Sequence, residues 1–247
     1  MLMNDIDFAD EAGNPTEFHA FTCWNSAFDA NTKVTTGWTG IFDGNGYALK
    51  NVIPSTDNRN SKYSSDASIF GIIDAKGVIR NLKVYARIEY RGGVVASLIN
   101  SNGTIENCYV EATVAPTLAD HTTSKPFGGI IFRSQKDGIL QNNVAIITLE
   151  KNEAGTTAAS VAVSGNVAVG YGKSYNNLSI VTTGETVKAL TTTNTTTVNT
   201  NNVCFVSYDA FFATEGGADY STYNTSVWNI DATNKTIGLI AGCSYKA

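Results

Sequence analysis

The sequence predicts an all-β fold, a parallel β-helix in which short strands stack coil upon coil. Two observations predict it: a composition rich in Thr, Asn and Gly, and a short motif that recurs along the chain. Of 247 residues only 16% are charged and 43% are hydrophobic, with 22 Gly and 4 Pro. Because Thr favours strands and Asn and Gly favour turns, this composition argues against a helical bundle or coiled coil.

The charge and hydropathy patterns exclude two further classes of protein. The net charge is −5, which argues against a nucleic-acid partner. No run of apolar residues approaches the length that spans a membrane. The first residues, Met1 to Asp7, lack the features of a signal peptide, so we expect either another export route or a domain of a longer protein.

The metal-binding and redox residues form no recognisable motif. The cysteines lie far apart, at Cys23, Cys108, Cys204 and Cys243. Without a C-x-x-C pair, a zinc ribbon or a redox motif is excluded, whereas two disulfides remain an alternative to the separate thiols that we favour. His19 and His121 are isolated as well. We therefore predict no metal site and no cofactor.

The recurring motif is an Asn followed by an apolar residue, any residue, and an apolar residue or Pro. Its copies begin at Asn51, Asn81, Asn107, Asn143, Asn177 and Asn202. Three copies follow similar lead-ins, such as Gly77-Val78-Ile79-Arg80. A strand-rich unit of about 25 residues without helical periodicity is typical of one β-helix coil. We predict that the six Asn side chains form a ladder that bonds neighbouring coils.

Alternation of apolar and polar residues assigns the two faces of the longest strand. From residue 82 to residue 91 the apolar positions predicted to face the core are Leu82, Val84, Ala86, Ile88 and Tyr90. The intervening side chains are predicted to face outward. The next coil repeats the pattern from Cys108, so neighbouring coils share one register.

The ends of a β-helix expose unpaired strand edges and need caps. We assign residues 1–39 to an N-terminal cap, 40–207 to the coils and 208–247 to a C-terminal cap, all within one structural domain. Polar insertions at 54–67, with Arg59 and Tyr63, and at 115–126 are candidate functional loops, although tolerated surface loops are the simpler interpretation.

Several of these segments resemble a known family. The run Gly40-Ile41-Phe42-Asp43-Gly44-Asn45-Gly46-Tyr47 and the coil from Ser68 to Leu82 resemble the GLUG-type repeats of bacterial surface proteins. The resemblance covers most of the chain and weakens after residue 150. It implies a right-handed parallel β-helix of adhesin type, and it carries no catalytic motif. Related coils occur in phage fibres and tailspikes.

The outer face changes character along the predicted coils. Counted from each Asn, the first outward position is occupied by Ile53, Lys83, Tyr109, Ala145, Ser179 and Cys204. The second is occupied by Tyr85, Glu111, Ile147, Val181 and Val206, and Leu149 extends the apolar part. An exposed apolar strip needs a cover. We favour residues 208–247 as that cover over a subunit interface formed by Ile147, Leu149, Val181 and Val206.

The polar half of this face is the candidate ligand site. Its predicted residues are Lys83, Tyr85, Arg87, Arg91 and Tyr109, with Arg59 and Tyr63 from the first insertion. Tyrosine rings stack on sugar faces, and charged groups hydrogen-bond hydroxyls or uronates. Solvated strand residues would show the same pattern.

The sequence therefore predicts a non-catalytic, extracellular or cell-surface module that binds glycan or protein. We favour a monomer. The first alternative is a virion structural protein, a trimeric fibre or tailspike. The second is a polysaccharide depolymerase, for which the nearest carboxylate pair, Glu89 and Glu111, lies one step out of line.

Overall fold

The computed structural model describes residues 1–18, 37–55, 67–74, 76–90, 92–99, 102–119, 127–134, 137–150, 163–170, 172–182, 188–192 and 198–245. Strands dominate these residues, and helix is confined to α1 (Tyr208–Phe211) and a 3-10 turn, Cys243–Tyr245. The predicted all-β class is confirmed. No helix in the described part of the chain is long and apolar enough to cross a membrane.

Sheet A is the largest sheet, and its strands all run parallel. They are β1 (Ile6–Asp7), β2 (Thr16–Phe18), β4 (Ala48–Pro54), β7 (Lys83–Tyr90), β10 (Tyr109–Ala119), β14 (Val144–Leu149), β17 (Leu178–Val181) and β20 (Val203–Phe205). Apart from β2, the strands follow one another across the sheet in chain order. Both β1 and β2 pair with β4, so the N-terminal residues extend the first edge of sheet A.

Two smaller parallel sheets stand beside it. Sheet B contains β5 (Phe70–Ile73), β8 (Ala96–Ile99), β11 (Phe127–Gly128), β12 (Ile131–Ser134), β15 (Val163–Gly170) and β18 (Lys188–Thr192). Sheet C contains β3 (Ile41–Asp43), β6 (Val78–Arg80), β9 (Thr104–Glu106), β13 (Ile139–Gln141), β16 (Lys173–Tyr175) and β19 (Val198–Thr200). A C-terminal hairpin of β21 (Trp228–Asp231) and β22 (Thr236–Leu239) is the one antiparallel pair among the described strands.

The chain visits the sheets in a fixed order, B then C then A. Leaving aside the short β11, this order holds from β5-β6-β7 through β8-β9-β10, β12-β13-β14 and β15-β16-β17 to β18-β19-β20. Each round therefore adds one strand to each sheet, beside the strand of the previous round. We call each such round a repeat.

An Asn makes the turn between sheets C and A in every one of these repeats. The turn residues have positive φ angles of 50° to 54°, at Asn81, Asn107, Asn142, Asn176 and Asn201. Asn tolerates this left-handed conformation better than other residues with a side chain, because its short amide can bond locally. The requirement explains why an Asn stands at the turn of every one of these repeats.

The main core lies against the inner face of sheet A. Pairing aligns Leu49 with Val84, Val84 with Val110, and Val110 with Ala145, and all four side chains are fully buried. Residues of sheets B and C, such as Phe70 and Ile79, belong to the same buried cluster. Stacking of like residues at one strand position thus fills the interior.

The predicted Asn ladder exists over part of its expected length. The Asn143 side-chain amide donates to Asn177 Oδ1 at 2.8 Å, and that of Asn177 donates to Asn202 Oδ1 at 2.7 Å. Asn143 and Asn177 are completely buried. Because buried amides cost free energy unless they are bonded, the ladder satisfies its own members.

The other three predicted members do not belong to this ladder. Asn81 and Asn107 are turn residues, and fully buried apolar side chains, Leu82 and Cys108, occupy the position next to them. Asn51 lies on β4, where the pairing with β7 changes register, and its amide donates to Asp7 at 2.7 Å. The turn residues form a separate outer ladder in the later repeats, from Asn201 through Asn176 to Asn142.

This difference corrects the predicted register. Later repeats carry two consecutive Asn residues, and the first of them makes the turn, whereas the sequence alignment had used the second. A shift of one residue exchanges the two faces of a strand. Pairing aligns Ala145 with Val110 and Ile147 with Ala112, so both face the core, and Val144 and Ile146 face outward instead.

The C-terminal segment, residues 208–245, lies along the outer face of sheet A. Its buried side chains form a second cluster with outward residues of the strands: Tyr109, Val144, Ile146, Leu178, Ile180, Phe205, Phe211, Tyr223, Val227, Trp228, Ile237, Leu239 and Cys243. Phe211 packs edge-on against Phe205 of the last repeat, with ring centroids 5.2 Å apart. The part of sheet A beneath this segment is thereby covered by apolar side chains on both faces.

Hydrogen bonds attach this segment to the Asn turns, running back from the later to the earlier repeats. The Tyr223 hydroxyl lies 2.7 Å from the carbonyl oxygen of Asn176 and 3.1 Å from that of Asn143. Trp228 Nε1 donates to Asn107 Oδ1 at 3.4 Å. The Ser244 hydroxyl donates to Asp43 at 2.6 Å, in the first repeat.

Ser244 contacts the turn Asp43-Gly44-Asn45-Gly46. Gly242 and Ser244 each donate a backbone N–H to Asn45, at 2.7 and 2.9 Å. Gly46 has a φ of +74°, and a Cβ built there would lie 1.9 Å from the carbonyl oxygen of Ile240. Only glycine fits this approach. The run that carries the family resemblance is therefore the anchor of the C-terminal segment.

Candidate functional site

The outer face of sheet A presents three aligned columns of side chains. The first contains Lys83, Tyr109, Val144, Leu178 and Val203. The second contains Tyr85, Glu111, Ile146, Ile180 and Phe205, and the third contains Arg87, Thr113 and Thr148. Polar side chains therefore lie on β7 and β10, and apolar ones on β14, β17 and β20, except in the third column.

Most of the apolar part, together with Tyr109 of the first column, packs against the C-terminal segment, whereas Val203 at the last strand is exposed. Tyr109 retains only 5% of its exposure and belongs to the buried cluster beneath that segment. Its hydroxyl donates to Glu111 at 3.0 Å, and burial, with a contribution from the Glu111 charge, raises its pKa. Burial also lowers the pKa of Lys83. These two predicted binding residues lie beneath or beside the cover.

Tyr85 and Arg87 lie further along β7, where an open cleft begins. Tyr85 is half-buried and its ring lies 6.2 Å from that of Tyr109. Arg87 donates through Nε to Glu89 at 2.9 Å and through Nη1 to Glu150 at 2.6 Å. Because β10 lies between β7 and β14, the Arg87 side chain reaches across β10 to the repeat that carries Glu150.

The cleft has a volume of about 290 Å³. Its walls come from the N-terminal residues and from β4, β7, β10 and the end of β14: Pro15, Asn51, Tyr85, Ala86, Arg87, Glu111, Thr113 and Glu150. This volume is at the small end of the range for ligand sites, roughly 300–1,000 Å³. Such a volume suits a small ligand better than a long chain.

The polar groups of the cleft are oriented before any ligand arrives. Two carboxylates hold the Arg87 guanidinium, and the hydrogen bond to Glu150 raises its pKa above the usual value. Asn51 is fixed by Asp7, and Glu111 by the Tyr109 hydroxyl. Fixed donors and acceptors lose little entropy on binding, which favours recognition of small polar ligands.

The predicted binding residues thus divide into three groups. The structure brings Tyr85 and Arg87 together in the cleft, and it places Lys83 and Tyr109 next to the C-terminal segment. Arg91, Arg59 and Tyr63 lie outside the described residues. No sequence pattern pointed to Pro15, Thr113 or Glu150, since they reach the cleft through contacts between distant parts of the chain.

The predicted interface residues are corrected by the register. Ile147 and Val181 are 0% and 1% exposed and lie in the main core, and Leu149 is buried with them. None of these three side chains can meet a partner subunit while the core is intact. Val206 is 54% exposed and follows the last strand of sheet A.

The remaining chemistry of the described residues gives no sign of a metal centre or a reactive thiol. Across the described ranges, no three His, Cys, Asp or Glu side chains cluster to hold a metal ion. Cys108, Cys204 and Cys243 are free thiols, and burial raises the pKa of Cys108 to about 12. Such a thiol is unreactive at neutral pH.

Comparison with known proteins adds no further constraint. The chain matches no protein-family model, no curated protein and no solved structure.

Proposed function

We propose that the three parallel sheets are the walls of one single-stranded, right-handed parallel β-helix. The cyclic order of the sheets and the parallel pairing of successive repeats support this architecture. Right-handedness is the expected sense, because crossover connections between parallel strands are right-handed in about 98% of cases. The stacked Asn turns are consistent with a regular coil.

On this scaffold we propose a non-catalytic surface module of adhesin type that binds a glycan in the cleft. The observation that carries this proposal is the preorganised group of Tyr85, Arg87, Asn51 and the flanking carboxylates on a rigid sheet. Sugar hydroxyls donate to carboxylates and accept from guanidinium and amide groups, and tyrosine rings pack on sugar faces. The resemblance of residues 40–47 to GLUG-type surface repeats supports an extracellular or cell-surface location.

The alternatives receive less support from the same observations. Of the apolar strip that suggested a trimeric virion fibre, Ile147, Leu149 and Val181 lie in the main core. The apolar side chains that face outward in their place pack against the C-terminal segment of the same chain. The carboxylates that suggested a depolymerase are each bonded, Glu89 to Arg87 and Glu111 to Tyr109. Both observations favour a monomeric binding module.

The test is binding of the full chain to immobilised oligosaccharides, with two matched variants. Arg87→Gln is expected to weaken binding at least about ten-fold, which corresponds to about 1.4 kcal/mol, because it removes a fixed donor from the cleft. Arg133→Gln, on the exposed side of sheet B, is the control and should bind as the parent does. Thermal unfolding of both variants verifies that they fold.

Failure of the parent chain to bind any oligosaccharide would overturn the proposal. Release of sugar from a polysaccharide would favour the depolymerase instead. A solution mass near three times 26.3 kDa would favour the trimeric fibre.

A further inference from the structure

The cleft carries more negative than positive charge. Among the described residues that line it, Arg87 is the one base, and Glu111 and Glu150 are both acids. Glu89, bonded to Arg87, adds a third carboxylate beside it. The one basic and three acidic side chains therefore leave an excess of two negative charges. A small cleft between protein walls focuses such a field more strongly than an open surface does.

Arg87, the basic residue of the cleft, is already paired. Two of the five N–H groups of Arg87 donate to Glu89 and Glu150, and no described residue accepts from the other three, which can donate to neutral oxygens. The nearest lysine on β4, Lys50, is paired with Asp5 at 2.6 Å, and Asp7 lies next to it. Lys83, two residues before Tyr85, lies beside the C-terminal segment and does not line the cleft. Among the described residues that line the cleft, no unpaired cation is left to balance the charge of an acidic ligand.

From this geometry we infer that the cleft selects uncharged saccharides and rejects uronic, sulfated and sialylated ones. The inference rests on the proposed glycan-binding function and names its ligand class. Hydroxyl groups can donate to the carboxylates of Glu111 and Glu150 and accept from the free N–H groups of Arg87. A carboxylate or sulfate on the sugar would be repelled by these carboxylates and would find no unpaired cation in the lining. Such a repulsive element gives a site specificity against anions.

The size of the cleft limits the recognised epitope. About 290 Å³ accommodates a short saccharide or the end of a chain. Arg87 spans two repeats, and Asn51 and Pro15 close the side toward the N-terminal residues. Recognition of a terminal unit is thus favoured over binding along a polymer.

The experiment uses the full chain and an array of oligosaccharides printed as matched pairs. The members of each pair share a backbone and differ in one charged group: hexose and uronate, unsulfated and sulfated, asialo and sialylated. For every backbone that binds, the uncharged member is expected to bind at least ten-fold more tightly. The preference should weaken at high salt, because the repulsion is electrostatic.

Two variants relate the preference to the cleft. Glu150→Gln removes one negative charge and releases one N–H of Arg87, so the preference for uncharged members should fall at least three-fold. Glu215→Gln makes the same change at an exposed position that does not line the cleft, and it should leave the preference unchanged.

The outcomes separate this inference from the proposed function. Equal or tighter binding of the acidic members would overturn the inference and leave glycan binding intact. A preference unchanged in Glu150→Gln would overturn it as well, since the selection would then lie elsewhere. Binding to no member of the array would overturn the proposed function, and the inference with it.

Discussion

The early and late halves of the outer face of sheet A have the same backbone and opposite surfaces. On β7 and β10 the second column carries Tyr85 and Glu111, and a cleft lies open beside them. On β14 and β17 the same column carries Ile146 and Ile180, which are 2% and 0% exposed beneath the C-terminal segment. One repeating scaffold thus provides both an open cleft and an attachment surface for the C-terminal segment, and side chains alone decide which.

The residue that follows each turn Asn also differs between the early and the late repeats. Early repeats fill this position with Leu82 and Cys108, and later repeats with the bonded amides of Asn143 and Asn177. An apolar side chain needs only space there, whereas an amide needs neighbours above and below. The later repeats therefore depend on one another for hydrogen bonds more than the early repeats do.

The largest effect is expected where the cover ends along β14. Ile146→Asp should lower the free energy of unfolding by more than about 4 kcal/mol, because it buries an unpaired charge beneath the C-terminal segment. Thr148→Asp, two residues further on the same face, is exposed and should change it by no more than about 0.5 kcal/mol. Chemical denaturation measures both.

Equal losses in the two variants would show that the cover extends past Thr148. Small losses in both would show that the C-terminal segment does not pack on β14.

A smaller loss of stability is expected when the Asn that follows a late turn is replaced by the Leu that follows an early turn. Asn177→Leu is expected to lower the free energy of unfolding by about 2–3 kcal/mol. It removes the acceptor of the Asn143 backbone N–H, one of the two acceptors of the Asn143 side-chain amide, and the donor to the Leu140 carbonyl oxygen. Leucine itself suits this position in the early repeats, as Leu82 shows. Urea denaturation gives the difference.

Asn229→Leu is the matched control for this exchange, because Asn229 is exposed on β21. It should change the stability by less than about 0.5 kcal/mol. A loss of similar size in the control would contradict the ladder as the cause.

The smallest effect concerns the anchor of the C-terminal segment and depends on pH. Burial opposes ionisation of Asp43, but hydrogen bonds from Ser244, Asn45, Asn81 and Arg80 outweigh it and hold its pKa below 3.8. A depressed pKa stabilises the folded state above the unfolded pKa, and this stability is lost as the pH falls through the folded value. Asp43→Asn should cost about 1–2 kcal/mol at neutral pH.

The decisive measurement is the stability difference between the parent and Asp43→Asn as a function of pH. It should be constant near pH 7 and shrink below about pH 4, because the unfolded state then takes up a proton that the parent's folded state resists. Subtracting the two curves cancels the contributions of the other acids. A difference independent of pH would exclude the Asp43 charge as the origin.

The sequence predicts the strands and the turns better than it predicts their faces. Composition and the Asn motif identify an all-β chain, because turn chemistry and strand propensity are local properties. The doublets at Asn142 and Asn176 mislead, since only the second Asn of each fits the motif, whereas the φ angle shows that the first one makes the turn. That one-residue choice moved Ile147 from the core to the surface in the prediction.

The candidate site was predictable only on one strand. Alternation along β7 places Tyr85 and Arg87 outward without reference to the rest of the chain. Glu150 joins them because pairing across three strands brings it within 2.6 Å of Arg87, 63 residues away in sequence. Local patterns carry no information about such a contact.

The C-terminal segment also limits the number of repeats that the protein can contain. Phe211, Tyr223, Trp228 and Ser244 contact successively earlier strands, from β20 back to β3, and neighbouring strands lie about 4.8 Å apart. Inserting or deleting one repeat would leave Ser244 a full strand spacing away from Asp43. Repeat arrays readily gain and lose units, but here the number of units between Asp43 and Phe205 is fixed by a segment that must reach both ends.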